Sequence, residues 1–64
     1  MKIISNKSLK YARSILCAYR GKFYSIIMLS NGKMNYYKDG RQIYGKNASL
    51  KIYDKLYEKM IINK

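Results

Sequence analysis

The chain has 64 residues, of which 14 are Lys or Arg and 3 are Asp or Glu, so its formal net charge is +11 at pH 7. A chain this short buries only about 60% of its unfolded surface, which leaves room for one domain and a binding surface but not for a deep catalytic cleft. Histidine is absent and carboxylates are few, which argues against acid–base and two-metal catalysis. We therefore expect no enzymatic activity, no metal site and no cofactor.

The first predicted element is a helix over about residues 5–19. Its apolar residues recur at intervals near 3.6, and Gly21 just beyond its end can act as a C-cap residue. In the alternative, residues 13–20 form a strand that is joined to the next strand through Arg20-Gly21. The β-branched and aromatic content of this segment does not decide between the two structures.

Three strands are predicted next, over about residues 22–30, 33–38 and 41–45. The first of them is apolar on both sides, as expected of a central strand. Asn31-Gly32 and Asp39-Gly40 are dipeptides typical of two-residue hairpin loops, so the three strands should form an antiparallel meander.

A last helix is predicted over about residues 47–62, with Asn47 as its N-cap. Its apolar stripe comprises Leu50, Tyr53, Leu56, Tyr57 and Met60. The sequence thus predicts one small α+β domain over residues 1–64, ordered helix, three-stranded meander, helix. If residues 13–20 form a strand, the alternative is a small SH3-like or chromodomain-like β-barrel with a C-terminal helix.

Two-residue loops determine which residues lie opposite one another, and so which face each side chain occupies. They place Phe23, Ile27 and Leu29 on the face that packs under the helices. The reverse face then receives a set of tyrosines and amides: Tyr24, Asn35, Tyr37, Gln42 and Tyr44. Four cations lie near its edges: Lys22, Lys33, Lys38 and Arg41.

These nine side chains form the predicted nucleic-acid-binding site. Tyrosine rings can stack on bases, amides can hydrogen-bond base edges, and Lys and Arg can contact phosphates. The structural alternative is that the tyrosines are cross-strand packing partners on a half-exposed sheet, or that the first helix covers them.

The charge imbalance makes nucleic acid the leading partner, ahead of an anionic membrane surface or an acidic protein. We expect a DNA-binding regulator or architectural protein, with duplex DNA favoured over RNA, encoded by a virus or mobile element with A/T-rich genes. The rival is a protein-interaction module, either an inhibitor of an acidic partner or a component of a particle. An exposed apolar patch around Ile26 and Met28, or a homodimer through a sheet edge, would favour the rival.

The single cysteine, Cys17, cannot form an intramolecular disulfide and is predicted to be a core residue in a reducing environment. No run approaches the roughly 18 apolar residues of a membrane span, and the first residues lack a signal-peptide pattern. We expect a soluble intracellular protein, in the cytoplasm, nucleus or nucleoid.

The helix–three-strand–helix order resembles the double-stranded-RNA-binding domain, in which lysines of a C-terminal helix contact phosphates. Lys46, Lys51 and Lys55 fall in the corresponding region, although Ala48-Ser49-Leu50-Lys51 replaces the family's Lys-Lys-x-Ala-Lys signature. The segment from Arg20 onward, with RGKFYSII, NGK and YDKL, also resembles the three-strand-plus-helix DNA-binding domains of the plant AP2 and phage integrase type. That resemblance implies a sheet face that reads the major groove.

Overall fold

The computed structural model describes residues 1–48 and 50–62. These residues form a five-stranded antiparallel sheet in the order β1-β2-β3-β4-β5, followed by a short 3₁₀ helix and one α-helix. The elements are β1 (Lys2–Ser8), β2 (Ala12–Tyr19), β3 (Lys22–Leu29), β4 (Met34–Lys38), β5 (Arg41–Ile43), the 3₁₀ helix (Gly45–Ala48) and α1 (Lys51–Ile62).

The predicted helix over residues 5–19 is wrong, because this segment forms β1, a tight turn and β2. The alternative strand over residues 13–20 is confirmed, with Arg20-Gly21 as the two-residue turn into β3. Both turn residues have positive φ, 50° and 78°, as a type I′ turn requires. Along β2 the buried Ile15 and Cys17 lie on one side and Leu16 on the other, and ladders to both β1 and β3 stabilise this period of two over the helical period.

The loop between β3 and β4 is one residue longer than predicted. Leu29 donates its N–H to the Lys33 carbonyl at 2.8 Å, so three residues, 30–32, connect the strands. Gly32 adopts a φ of 89° and donates to the Leu29 carbonyl at 2.9 Å, as in a turn followed by a bulge. The extra residue shifts the register by one and exchanges the two faces of β3 relative to the prediction.

The central position of β3 is confirmed, since two strands lie on each side of it. The predicted register between β4 and β5 is also confirmed, with Tyr36 opposite Ile43 and Tyr37 opposite Gln42. Asp39 and Gly40 have φ values of 51° and 82° and form a two-residue turn. β5 is a short edge strand, which limits the unpaired backbone that the sheet exposes on that side.

The C-terminal helix is confirmed, but it begins at Lys51 and not at the predicted cap Asn47, which lies in the 3₁₀ helix. Position 49, inside the predicted helix, lies outside the described residues. Three residues of the predicted apolar stripe, Tyr53, Leu56 and Met60, are buried against the sheet, whereas Leu50 and Tyr57 are exposed. The core therefore lies between one face of the helix and the middle of the sheet.

Helix α1 packs across β2 and β3, on the face of the sheet that we call the covered face. The core on that face consists of Ile15, Cys17, Tyr24, Ile26, Tyr53, Leu56 and Met60. The predicted burial of Cys17 is confirmed, and burial raises the pKa of its thiol. Among the described residues α1 is the only α-helix, so the other face of the sheet is left without a covering helix.

The domain thus keeps the predicted α+β class, but its N-terminal helix and three-stranded meander are replaced by five strands. The element order of the double-stranded-RNA-binding domain is therefore not found. The sheet is a meander in which β1 and β5 form the edges of the described part. Among the described residues, none of the helices is both long enough and apolar enough to cross a membrane.

Candidate functional site

The uncovered side of the sheet, which we call the open face, is the candidate functional site. Three rows of directly opposite residues cross it. The rows are Ser5-Leu16-Ser25-Tyr37-Gln42, Lys7-Ser14-Ile27-Asn35 and Lys2-Ala18-Phe23. The register therefore brings residues from all five strands onto one surface.

Aromatic and amide groups are concentrated on the β3–β5 half of the open face. Tyr37 lies directly opposite Gln42 on β5, and Asn35 is two residues from Tyr37 on the same strand. Phe23 is 50% exposed and is the diagonal neighbour of Tyr37 across the β3–β4 ladder. Two rings and two amides thus share an area that the extended backbones of three adjacent strands hold in place.

Small side chains form much of the β1–β2 half of the open face. Ser5, Ser14 and Ala18 lie on it, and Ser25 continues the same low surface into β3. A flat ligand can approach the sheet closely over these residues, because they project only one or two heavy atoms beyond the backbone. The open face therefore has one half in which small side chains lie beside Leu16 and two lysines, and another half that carries rings and amides.

The open face is cationic and contains no carboxylate among the described strand residues. Lys2 and Lys7 lie on it along the β1 edge. Two of the three acidic residues, Asp54 and Glu58, are on α1, on the other side of the molecule. The third, Asp39, accepts a hydrogen bond from the Phe23 N–H at 2.9 Å and so tightens the β4–β5 turn against β3. An anion that approaches the described strands of the open face therefore meets no negative side chain on them, although the Asp39 carboxylate lies beside the Phe23 backbone at one end.

Tyr24 is not on the open face, so its predicted placement is wrong. The register shift in the β3–β4 loop moves it to the covered face, where it is 8% exposed. Its ring makes an edge contact with the Tyr53 ring at a centroid distance of 5.8 Å. Tyr24 is therefore a core residue. Its place on the open face is taken by Phe23, which was predicted to lie under the helices.

The predicted cations do not surround the open face. Lys22, Lys38 and Arg41 alternate onto the covered face, beyond the N-terminal end of α1. Lys33 is exposed in the β3–β4 loop, at the opposite end of β4. The sequence-based site is thus divided into an open-face group, Asn35, Tyr37 and Gln42, and a separate basic group at one end of the sheet.

Tyr44 follows β5 directly and is 70% exposed. It shares a shallow surface depression with Asn35 and Gln42. Its ring is accessible to a ligand on that edge, as predicted, although it lies outside the regular strand. The depression lies at the β5 edge, because covered-face residues such as Tyr36 and Ile43 also line it.

Tyr11 is an exposed aromatic residue that the sequence-based site did not include. It lies in the β1–β2 turn, and the Lys10 ammonium is 5.3 Å from the centre of its ring. Its carbonyl accepts a hydrogen bond from Ser30 at 3.0 Å, which joins this turn to the β3–β4 loop. The predicted helix over residues 5–19 included this turn, so the sequence-based reasoning missed it.

Comparison of the chain with family models, curated proteins and solved structures gives no match. The described residues contain no group of three or more His, Cys, Asp or Glu side chains that could hold a metal ion. Function is therefore inferred from the shape and chemistry of the surfaces alone.

Proposed function

We propose that the protein binds nucleic acid through the open face, and that duplex DNA is the preferred form. The observation that carries the proposal is the combination of two rings and two amides, Phe23, Tyr37, Asn35 and Gln42, on a face that also carries two lysines and has no carboxylate on its described strands. Aromatic rings contact bases, and Asn or Gln can bond two points on adenine in the major groove.

The dimensions of the sheet favour groove reading by one half of the open face. Strands lie about 4.8 Å apart, so β3, β4 and β5 together span about 10 Å, within a major groove about 12 Å wide. With the same spacing between strands, Lys2 and Lys7 on β1 lie about 14 Å from β4. When the β3–β5 half enters the groove, these lysines extend toward the flanking phosphates, which would set position and salt dependence.

The rival function, a protein-interaction module, has less support from the surface. The exposed apolar patch around Ile26 and Met28 that would favour it does not form, because Ile26 is fully buried and Met28 packs against the core. Apolar residues do occur on the open face, where Ser25 lies directly opposite Leu16 and where Ser14 and Asn35 lie opposite Ile27, while Phe23 and Leu29 lie opposite alanines.

The proposal is tested by fluorescence anisotropy with labelled duplex DNA, single-stranded DNA and duplex RNA of equal length, each titrated at several salt concentrations. We expect duplex DNA to bind most tightly, with an affinity that falls steeply as salt rises. Equal, weak binding to all three ligands that vanishes near physiological salt would contradict the proposal.

The open face is tested by Tyr37→Ala and Gln42→Ala, with Tyr57→Ala on the exposed side of α1 as the matched control. Loss of a stacked ring or a bidentate amide contact should cost about 1–3 kcal/mol, which weakens binding roughly fivefold to more than a hundredfold. The control should bind as the wild type does. If Tyr57→Ala loses as much affinity as Tyr37→Ala, the ligand does not lie on the open face.

A further inference from the structure

A second cationic surface lies at the end of the sheet near the start of α1, separate from the open face. Lys38 and Arg41 lie directly opposite each other on the covered face, on either side of the β4–β5 turn. Lys38 also lines a surface pocket of about 250 Å³ together with Lys46 and Asn47. Lys38 thus lies beside Lys46 of the 3₁₀ helix in the pocket and opposite Arg41 of β5, which does not itself line the pocket.

This arrangement is costly for the protein alone. Side chains directly opposite on an antiparallel pair have their Cβ atoms about 5 Å apart, and like charges at that position destabilise the sheet. The nearest carboxylate in sequence, Asp39, already accepts the Phe23 N–H at 2.9 Å. Among the described residues no acidic side chain lines the pocket, whose polar lining residues are Lys38, Lys46 and Asn47 and whose apolar ones are Ile43 and Leu50.

We propose that Lys38, Arg41 and Lys46, with Asn47, form a binding site for a phosphate group. A phosphate offers several acceptor oxygens and a negative charge, so it can take hydrogen bonds from the lysine ammonium groups, the arginine fork and the amide together. Its charge offsets the repulsion between Lys38 and Arg41. The ligand is a phosphate, either free or in the backbone of a nucleic acid.

This site does not rest on the proposed function of the open face. Lys38 and Arg41 of the phosphate site lie on the side of the sheet that α1 covers, whereas the proposed base contacts lie on the opposite side. It would bind phosphate even if the open face binds no nucleic acid.

The test is a ¹⁵N–¹H NMR titration of the full chain with sodium phosphate at pH 7.5, in which sodium chloride is lowered to keep ionic strength constant. We expect saturable shifts at residues 38–41 and 46–47, with little change at Tyr37 or along β1. A parallel titration with a short DNA duplex identifies the source of the phosphate. Shifts at this corner with inorganic phosphate indicate a free phosphate group, and shifts with the duplex alone indicate a backbone phosphate.

Lys38→Gln and Lys46→Gln should each weaken phosphate binding about two- to fivefold, as expected for partly exposed ionic contacts, and the double variant should abolish saturation. Lys59→Gln, an exposed lysine on α1, is the matched control and should leave the titration unchanged. Lys38→Gln should also raise the unfolding midpoint at low salt without phosphate. Shifts that spread over all lysines, or corner shifts that no variant reduces, would overturn the proposal.

The open-face proposal and the phosphate-site proposal can be contradicted independently of each other. Tyr37→Ala should reduce duplex binding and leave the phosphate titration intact, because its side chain is on the open face. If Tyr37→Ala loses duplex binding but neither phosphate nor the duplex causes saturable shifts at residues 38–41 and 46–47, the open-face proposal stands. The phosphate-site proposal is then contradicted.

Discussion

Tyr53 on α1 is the residue that joins the core to the strand carrying the proposed base contacts. Its hydroxyl donates a hydrogen bond to the Tyr37 carbonyl at 2.7 Å, and its ring makes edge contacts with Tyr24 and Tyr36 at 5.8 and 5.2 Å. Burial, with the neighbouring Tyr24 as a second cause, raises the pKa of Tyr53 from 10.0 to about 12. One side chain therefore positions the backbone of β4 from the covered side of the sheet.

Tyr53→Phe should lower the free energy of unfolding by about 1 kcal/mol near neutral pH, because the Tyr37 carbonyl loses its donor. The folded state holds the Tyr53 proton more tightly than the unfolded state does. The stability of the wild type relative to Tyr53→Phe is therefore at its full value below pH 10 and falls by up to roughly 2–3 kcal/mol as pH rises from 10 to about 12, so the order of the two proteins should reverse within this range.

The measurement is denaturant unfolding of both proteins between pH 8 and pH 12, with the exposed Tyr57→Phe as the control. Comparison of variants removes the contribution of the other tyrosines and of the lysines that titrate in the same range. A difference between wild type and Tyr53→Phe that stays constant up to pH 12 would contradict the assigned burial of the hydroxyl.

At the scale of the elements, α1 is tied to the sheet at its C-terminal end by Arg13 of β2. The Arg13 Nη2 donates to the Met60 carbonyl at 2.6 Å, and Met60 is fully buried. A cation at the last turn of a helix bonds an otherwise unpaired carbonyl and complements the negative end of the helix dipole. The contact fixes the position of α1 along β2.

Arg13→Met keeps most of the side-chain stem and removes the charge and the hydrogen bond. We expect a loss of about 1.5–3 kcal/mol in the free energy of unfolding, together with faster amide exchange in the last turn of α1. Lys59→Met, at an exposed lysine of α1, is the control for charge removal. An equal or larger loss in Lys59→Met would mean that the Arg13 contact does not secure the helix.

The loop between β3 and β4 shows how one residue changes the whole site. The dipeptides Asn31-Gly32 and Asp39-Gly40 both predict tight turns, and both turns form, but only the second has two residues. Side chains alternate between faces along a strand, so the third loop residue moved Tyr24 into the core and Phe23 onto the open face. The placement of Asn35, Tyr37 and Gln42 was unaffected, because their own hairpin was predicted with the correct length.

At the scale of the whole molecule, a net charge of +11 on a chain of 64 residues should oppose compaction. The Debye length falls from about 30 Å at 0.01 M salt to about 10 Å at 0.1 M, which screens repulsion between distant exposed lysines. The free energy of unfolding should therefore rise with sodium chloride over this range, by an amount of the order of 1 kcal/mol.

This prediction is checked by thermal unfolding in sodium chloride between 0.01 and 0.3 M, with Lys38→Gln compared to Lys59→Gln. The increase should be smaller in Lys38→Gln, since that substitution removes one member of the directly opposed pair Lys38 and Arg41. Stability that falls with salt would show that ion pairs outweigh repulsion in this molecule.

Local sequence alone determined the α+β class, the Asp39-Gly40 turn, the buried side of α1 and the burial of Cys17. These features depend on short-range chemistry: positive φ at turn residues, a period of 3.6 in the helix, and the apolar character of the thiol. The charge balance likewise follows from composition, and with it the expectation of an anionic partner.

Only the tertiary structure decided that residues 12–19 form a strand and that Phe23, not Tyr24, lies on the open face. The strand at residues 12–19 depends on partners distant in sequence, because β2 is stabilised by ladders to both β1 and β3 and not by its own residues. The placement of Phe23 depends on the length of one loop, since side-chain alternation has a period of two and a slip of one residue exchanges the faces. The division of the predicted site into a ring and amide surface and a separate basic corner follows from that same register.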